Sequence, residues 1–376
     1  MTQFTDACAL VRPIDSAGAG AAADARSDRL TKPRGSLGRL ETLGTQLAAI
    51  ARTCPPPVPE HVAVCVFAGD HGVLAQGVSP WPREVTAQMV ANFRAGGAAV
   101  TVLARQTGAE VVVVDVGVAT PIPEPGPQAV SAPGPRHSSD AIAPAPQMLL
   151  RRNVRRGTAD LATGPAMTRE EAYAALDVGA GVAADALAAG AQMLVTGEMG
   201  IGNTTPAAAL IAALTGAPAD DVTGRGTGID DAMLSHKTEV VRAAVARLAT
   251  GAGSVADPVT VLAEVGGLEI AALAGLIVGG AAAGVPVLLD GVIAASAALV
   301  ACALVPDVRG YLIAGHLSAE PGATIALRHL GLEPLLDLGM RLGEGSGATL
   351  AIPLVQAAAR ILREMATFED ADVTEV

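Results

Sequence analysis

The sequence predicts an α/β fold in which a Rossmann-like parallel sheet is flanked by helices. Short, continuous apolar runs recur along the chain of 376 residues, and longer helical stretches separate them. Such runs are typical of strands buried on both faces of a parallel sheet. Strands that alternate with helices also favour right-handed crossovers. The predicted strands are 62–67, 110–116, 193–196, 285–289 and 312–314.

Helices are predicted for most of the other segments. The first part of the chain, 5–52, reads as mostly helical with a break at 32–35. Later helices are expected at 84–107, 169–189, 206–214, 230–249, 259–283, 292–305 and from 347 to about 367. Residues 118–148 are rich in proline, alanine and serine and show no clear period. We therefore expect a flexible surface loop there, partly disordered.

One uncharged run, 270–289, is long enough to cross a membrane. Its four glycines, Pro286 and the Asp290 that follows it argue against a membrane span. A buried helix, a turn at Gly284 and a buried strand fit the pattern better. We therefore expect no membrane partner.

The composition excludes several classes of function. The net charge is −12 and the pI about 4.9, so a nucleic-acid partner is not expected, because such binding needs a basic surface. The four cysteines lack metal-ligand and disulfide spacing, and the N-terminus lacks a signal-peptide pattern, which fits a cytoplasmic protein. One basic cluster, Arg151, Arg152, Arg155 and Arg156, is either a solvated loop or a local anion contact.

The sharpest motif is the loop 197–206, Gly-Glu-Met-Gly-Ile-Gly-Asn-Thr-Thr-Pro. A predicted strand precedes it, and the helix that follows could be capped by Thr204 or Thr205, with Pro206 in its first turn. Glycines let the backbone approach a ligand, and a helix N-terminus attracts phosphate. A tight turn without a ligand is the alternative. A carboxylate next to a bound anion is unfavourable unless it has another role, so Glu198 is a candidate to bind ribose hydroxyls.

Lys237 lies on the apolar stripe of the predicted helix 230–249, three or four residues from apolar neighbours. Lysine is rarely buried without a partner. Its ammonium group therefore either reaches the surface along the helix or meets an anion in a cleft, for which a substrate phosphate is a candidate. The glycine-rich loop 224–228, just upstream, either closes over a ligand or merely connects two elements.

Glu344 stands among glycines in the segment 340–347, Met-Arg-Leu-Gly-Glu-Gly-Ser-Gly, before the last predicted helix. Glycines keep side-chain bulk away, so this carboxylate could face a flat ligand. In a partly apolar cleft a carboxylate gains proton affinity and can act as a general base. The alternative is a glutamate that only interacts favourably with the helix dipole.

Polar residues also follow several predicted strands. They are Asp70 and His71, Asp115, Asp290 and Gly291, and the segment 316–320. Ligands of open α/β sheets bind at the carboxyl ends of the strands, so these residues outline a cleft. Asp70 and His71 lack further ligands at a fitting spacing, and no metal is expected.

Together and in this order, these motifs resemble the nicotinate-nucleotide–dimethylbenzimidazole phosphoribosyltransferases, over nearly the whole chain. The resemblance rests on 32–41 (Lys-Pro-Arg-Gly-Ser-Leu-Gly-Arg-Leu-Glu), 70–73, 84–87, 197–206, 290–291, 316–320 and 341–347. Several blocks in a fixed order make a chance match improbable.

The resemblance implies a large α/β domain at 60–340, a small helical domain built from 1–59 and 341–376, and a homodimer that needs no cofactor. It implies transfer of the phosphoribosyl group of nicotinate mononucleotide to 5,6-dimethylbenzimidazole. The products would be nicotinate and α-ribazole phosphate, which supplies the lower nucleotide of cobalamin.

The resemblance also assigns roles to residues. Glu344 falls on the family's catalytic glutamate, Glu198 on the glutamate of its phosphate loop, and Lys237 on its substrate lysine. Further substrate contacts are expected from Gly200, Gly202, Asn203, Thr204, Asp290, Gly291, Ser318 and Leu342.

Two residues depart from the family pattern in the segment expected to shape the base pocket. Trp81 and Met89 stand where some members carry Ser and Gln, which makes the pocket more apolar. Transfer to a different acceptor base or to a phenol is therefore the alternative activity. A catalytically idle nucleotide-binding module is the alternative from another class, and the presence of Glu344 and Lys237 argues against it.

Overall fold

The computed structural model describes residues 2–122, 148–251 and 257–374. Its strands are β1 (Val62–Gly69), β2 (Glu110–Gly117), β3 (Leu149–Arg151), β4 (Met193–Met199), β5 (Val287–Leu289) and β6 (Leu312–Ala314). They form one sheet in the order β3-β2-β1-β4-β5-β6, in which every adjacent pair is parallel. The predicted α/β fold is thereby confirmed. Because the strand order reverses between β1 and β4, the sheet has a switch point there, the usual place for a ligand.

The helices cover both faces of the sheet. They are α1 (Gln3–Leu10), α2 (Ala21–Ser27), α3 (Arg39–Ala51), α4 (Glu84–Arg94), α5 (Ala99–Thr107), α6 (Arg169–Ala188), α7 (Thr204–Thr215), α8 (Ala219–Val222), α9 (Asp231–Gly251), α10 (Pro258–Val265), α11 (Leu268–Ala282), α12 (Val292–Leu304), α13 (Pro321–Leu330) and α14 (Ser346–Glu364). Two predicted helices divide at glycines. The segment 84–107 breaks at Gly96, whose φ of 75° favours glycine, and the segment 259–283 breaks at Gly266 and Gly267.

Three of the elements named above escape the sequence prediction, one strand and two helices. Strand β3 is three residues long and only partly buried, so it lacks the continuous apolar run that marks the other strands. Its last residue, Arg151, belongs to the basic cluster, so reading that whole cluster as loop was wrong. Helices α8 and α13 were also missed. Most of the expected loop 118–148, namely 123–147, lies outside the described residues.

The uncharged segment 270–289 folds as predicted. Helix α11 ends at Ala282, Gly284 turns the chain with a φ of 74°, and β5 begins at Val287. In the described ranges, no helix is both long and apolar enough to cross a membrane.

The core lies on both faces of the sheet. Cys65 and Phe67 of β1 point to the face covered by α6, α11 and α12, whereas Val64 and Val66 point to the face covered by α4 and α14. Helices α6 and α11 pack so closely that a Cβ atom at Gly179 would overlap the carbonyl oxygen of Ala272. Such close backbone contact suits a core of small side chains, in a chain with only 2% aromatic residues.

The two chain ends meet beside the sheet. A small apolar cluster joins α2, α3 and α14 through Ala23, Leu30, Ala48 and Leu362. An antiparallel bridge between Leu30 and Thr367 adds to this contact. Helix α1 instead packs on α6 and α11, where the N–H of Phe4 donates to Asp177. Helix α3 packs on the later part of α14, where Gly44 lies against Ala358 and Leu362. The start of α14, just after Glu344, lies against the carboxyl edge of the sheet through hydrogen bonds to Asp290.

Candidate active site

A cavity of about 670 Å³ opens at the carboxyl ends of β4, β5 and β6, next to the switch point. This volume is within the usual range for small-molecule sites. The lining residues are 78, 79, 81, 85, 89, 198–204, 225–227, 237, 291–293, 318, 320 and 341–344. Of the residues that were assigned a catalytic or substrate-binding role from the sequence, all but Asp290 line this cavity.

The glycine loop is shorter than predicted, because residues 197–199 belong to β4 and residues 204–206 to α7. Residues 200–203 connect the two elements along one wall of the cavity. Asn203, rather than Thr204 or Thr205, is the N-cap residue of α7, and its side chain makes no capping hydrogen bond. The Asn203 amide donates instead to the Glu198 carboxylate. Gly200 allows the loop to pack closely, because a Cβ atom there would overlap the carbonyl oxygen of Gly69. The N-terminus of α7 faces the cavity, and the glycines that precede the helix add no side chains there.

Lys237 is fully buried on α9 and ends at this loop. Its ammonium group donates to Thr204 Oγ1 at 2.7 Å and to the carbonyl oxygen of Gly224 at 3.0 Å. The ammonium group therefore does not reach the surface along the helix. Burial lowers the pKa of Lys237 to about 8, although Glu320 opposes the shift. A cation whose two acceptors are both neutral, at the wall of a cavity, is suited to meet an anion.

Glu198 is a buried carboxyl at the end of β4. One of its oxygens accepts from the Asn203 amide, and the other accepts from the backbone N–H of Glu344 at 3.3 Å. Burial first, and then the charge of Asp290, raises the pKa of Glu198 to about 8. At neutral pH this group is therefore largely protonated and can donate a hydrogen bond to a ligand.

Glu344 is buried between Gly343 and Gly345, in the turn that precedes α14. Its φ of 66° lies in the left-handed region, which is uncommon for a residue other than glycine. Burial first, and then Asp290, raises the pKa of Glu344 to about 7, while the Val100 N–H of α5 opposes the shift. Its Oε2 atom has no hydrogen-bond partner among the described residues. A carboxyl with a pKa near neutrality and an unused oxygen can accept a proton at physiological pH.

Asp290 follows β5 but does not reach the cavity. Its carboxylate accepts from the backbone N–H groups of Gly345 at 3.1 Å and Ala348 at 2.9 Å. His316, which follows β6, lies with Nε2 at 3.3 Å from Asp290 Oδ1. Both carboxylate oxygens of Asp290 thus accept hydrogen bonds from the protein. Asp290 does not line the cavity, where a substrate contact was expected.

Three charged residues of the cavity were given no individual role by sequence reasoning. Glu320 accepts from the backbone N–H of Gly226 at 2.8 Å, and Arg341 donates to the Gly226 carbonyl oxygen. Arg225 donates to the carbonyl oxygen of Ile229 at 2.9 Å. Each stands inside a motif that the sequence already singled out, within 224–228, 316–320 or 341–347.

Four further polar residues that the sequence predicts at the cleft do not line the cavity, namely Asp70, His71, Asp115 and His316. His71 and Glu269 form an ion pair of 2.9 Å, and both side chains are buried. Asp70 accepts from the N–H of Ala119. Within the described ranges, no group of three or more His, Cys, Asp or Glu residues is placed to hold a metal ion.

The fold and the cavity define an α/β protein with a glycine loop, a buried lysine and a carboxyl of pKa about 7 next to the switch point of its sheet. A family model described as phosphoribosyltransferase matches residues 11–373. The chain belongs to the nicotinate-nucleotide–dimethylbenzimidazole phosphoribosyltransferase family.

Relatives with that name resemble the chain over its whole length. The enzyme of Salinispora tropica is 58% identical over 367 residues, which cover 98% of this chain and 98% of the relative. That of Desulforudis audaxviator is 49% identical, over 97% of this chain and 96% of the relative. The crystal structure of CobT from Thermus thermophilus is 48% identical, covers 95% of this chain and 99% of its own, and superimposes with a TM-score of 0.85.

Proposed function

We propose that this protein transfers the phosphoribosyl group of nicotinate mononucleotide to 5,6-dimethylbenzimidazole. The products are α-ribazole 5′-phosphate and nicotinate, and the former serves the lower nucleotide loop of cobalamin. The observation that carries the assignment is Glu344, a buried carboxyl with a raised pKa and an unused oxygen at a ligand-sized cavity. The full-length relatives named for this reaction support it.

The chemistry requires one base. The donor's nicotinate leaves as a neutral ring nitrogen, because its pyridinium nitrogen takes the electrons of the broken bond to the ribose carbon. One benzimidazole nitrogen forms the new bond to that carbon from the opposite face, so a β nucleotide becomes an α nucleotide. The ring is then cationic, and its other nitrogen bears an acidic proton. Glu344 accepts this proton, and the remaining contribution of the site is positioning.

The phosphate of the donor is best accommodated at the glycine loop. The N-terminus of α7 offers backbone N–H groups and a partial positive charge. Lys237 lies beside Thr204 at the same place. We assign phosphate binding to Gly200, Gly202, Asn203, Thr204 and Lys237.

The ribose and the base would occupy the rest of the cavity. Protonated Glu198 can donate to a ribose hydroxyl, with Gly291 and Ser318 as neighbours on the cavity wall. Trp81, Met89 and Leu342 line the cavity with apolar surface, and we assign the flat base to them. This apolar lining also favours the second candidate function, transfer to another acceptor base or to a phenol.

Three further assignments belong to the same proposal. The protein would act in the cytoplasm as a homodimer. Its small helical domain would comprise 1–59 and 341–376, and its large domain 60–340. The apolar cluster between α2, α3 and α14 supports a helical unit built from both chain ends, although α1 packs on the larger part.

The test is an assay of purified protein with nicotinate mononucleotide and 5,6-dimethylbenzimidazole, read out by mass-resolved chromatography of both products. We expect turnover, and a loss of at least about 100-fold for Glu344→Gln, the scale expected for a general base. Glu110→Gln is the matched control, because Glu110 is exposed at the opposite edge of the sheet. Nicotinate release with another acceptor would favour the second candidate, and no turnover with any acceptor would refute both.

A further inference from the structure

Asp290 is a buried acid that the reaction above leaves without a task. It is 4% exposed and does not line the cavity. Its backbone N–H donates to Thr196 Oγ1 at 3.0 Å, and that hydroxyl donates in turn to the carbonyl oxygen of Leu288. The backbone of Asp290 is therefore fixed between β4 and β5, two strands whose residues are all buried.

The Asp290 carboxylate binds both sides of the turn that presents Glu344. Its Oδ2 accepts from the N–H of Gly345, the residue after Glu344, and its Oδ1 accepts from the N–H of Ala348 in the first turn of α14. Both N–H groups belong to a helix N-terminus, where a negative charge is favourable. Because Glu344 has a left-handed backbone, its conformation persists only when the surroundings enforce it.

His316 packs against the same turn from the other side. It is 2% exposed, and its Nε2 lies 3.3 Å from Asp290 Oδ1. Gly347 leaves room for the imidazole, because a Cβ atom at that position would overlap the ring. Burial lowers the pKa of His316, but the contact with Asp290, a backbone hydrogen bond at Leu317 and the charge of Asp337 together outweigh it, and the pKa is raised. His316 is therefore placed to balance the charge of Asp290.

We infer that Asp290 is a positioning residue of the transfer reaction, which holds Glu344 at the cavity through the Gly345 and Ala348 amides, with His316 as its counter-charge. This inference rests on the function proposed above. It replaces the substrate contact that the sequence led us to expect of Asp290.

The pH dependence of the reaction should respond to Asp290 and His316 with opposite signs. The groups that face Glu344 are Asp290, the carboxyl of Glu198 on β4 and the Val100 N–H of α5. The other charged groups of the cavity are Lys237, Arg225, Arg341 and Glu320.

Asp290 raises the pKa of Glu344, so Asp290→Asn lowers that pKa and moves the acid limb of the rate profile to lower pH. His316→Gln leaves Asp290 without its counter-charge and moves the limb to higher pH.

The experiment compares both variants with a matched control, Asp115→Asn. Asp115 is also a buried acid at a strand end, and it accepts from the N–H of Val118 and the amide of Asn153, each at 2.9 Å, away from the cavity lining. Two measurements are made on each protein. They are the pH profile of nicotinate release, and hydrogen–deuterium exchange of the peptide 343–350 by mass spectrometry.

For Asp290→Asn we expect kcat to fall about 100-fold, as for a misplaced catalytic group, with a much smaller change of KM for the mononucleotide. Exchange in 343–350 should accelerate, and the acid limb should move to lower pH. Asp115→Asn should change neither the exchange of this peptide nor the profile.

Unchanged exchange in 343–350 for Asp290→Asn would overturn the anchoring role. Faster exchange with an unchanged kcat and profile would overturn the role in the reaction. If the unsubstituted protein releases no nicotinate, the proposed function fails, and the exchange measurement still decides whether Asp290 anchors the turn.

Discussion

At the scale of single residues, the site depends on two buried carboxyl groups that differ in proton affinity. Glu198 and Glu344 share Asp290 as a nearby negative charge, and their pKa values are raised to about 8 and about 7. At neutral pH the first is mostly a hydrogen-bond donor, while the second is divided between acid and base. Different environments thus give two like side chains different tasks.

A residue-scale prediction concerns Lys237. Lys237→Met should raise KM for nicotinate mononucleotide by at least about tenfold, because a charge-assisted contact to phosphate is lost. The same variant should be at least as stable as the unsubstituted protein, since a buried charge is removed. The lysine pKa is lowered to about 8, so mononucleotide affinity should fall as pH rises through that value, and only where Lys237 is present. Calorimetric titration at several pH values measures this, and equal affinities for the two proteins would contradict the role.

The sequence predicted some of these residues and not others for a physical reason. The helical spacing of Lys237 placed its side chain on the apolar stripe, because that stripe is local in sequence, but it left open whether the ammonium group reaches the surface. Asp290 binds amides 55 and 58 residues away, and no local pattern contains that information. Its position after a strand correctly indicated the site's neighbourhood, but not that its oxygens were already occupied.

At the scale of elements, the strands were predictable because their burial on both faces leaves a continuous apolar run. Strand β3 lacks such a run, because it is a partly buried edge strand that pairs only with β2. The breaks at Gly96 and Gly266 also escaped prediction, because isolated glycines are tolerated inside helices and only tertiary packing decides. The glycine loop between β4 and α7 was predicted in place, but its capping residue was not.

An element-scale prediction follows for that loop. Gly200→Ala should displace it, because the added Cβ would overlap the Gly69 carbonyl oxygen and lie 3.1 Å from His71 Nε2. We expect a loss of about 1–3 kcal/mol in the free energy of unfolding, together with weaker mononucleotide binding. Gly164→Ala is the control, since no heavy atom lies within 4 Å of its added Cβ. Denaturant unfolding and titration of both variants decide the matter, and equal behaviour of the two would show that the loop tolerates a side chain.

At the scale of the whole molecule, the sheet gathers ionisable groups from distant parts of the chain at one edge. Glu198 lies at the end of β4, Asp290 and His316 follow β5 and β6, and Glu344 lies in the turn that precedes α14. Burying these groups costs stability that the apolar core on both faces of the sheet offsets. The stability of the whole fold therefore depends on the protonation state of these groups in the unliganded protein.

The pH dependence of stability tests this view of the molecule. Glu198 and Glu344 have folded pKa values of about 8 and 7, above the ordinary value of 4.5. Between roughly pH 5 and 8 the folded state therefore binds more protons than the unfolded state, and the free energy of unfolding should fall as pH rises. The raised pKa values of Asp70, His71 and His316 act in the same direction. Thermal unfolding of the unliganded protein should thus show a lower Tm at pH 8 than at pH 6, and Glu198→Gln should flatten this trend. A Tm that rises over the interval would mean that these carboxyl groups are ionised in the folded protein at little cost.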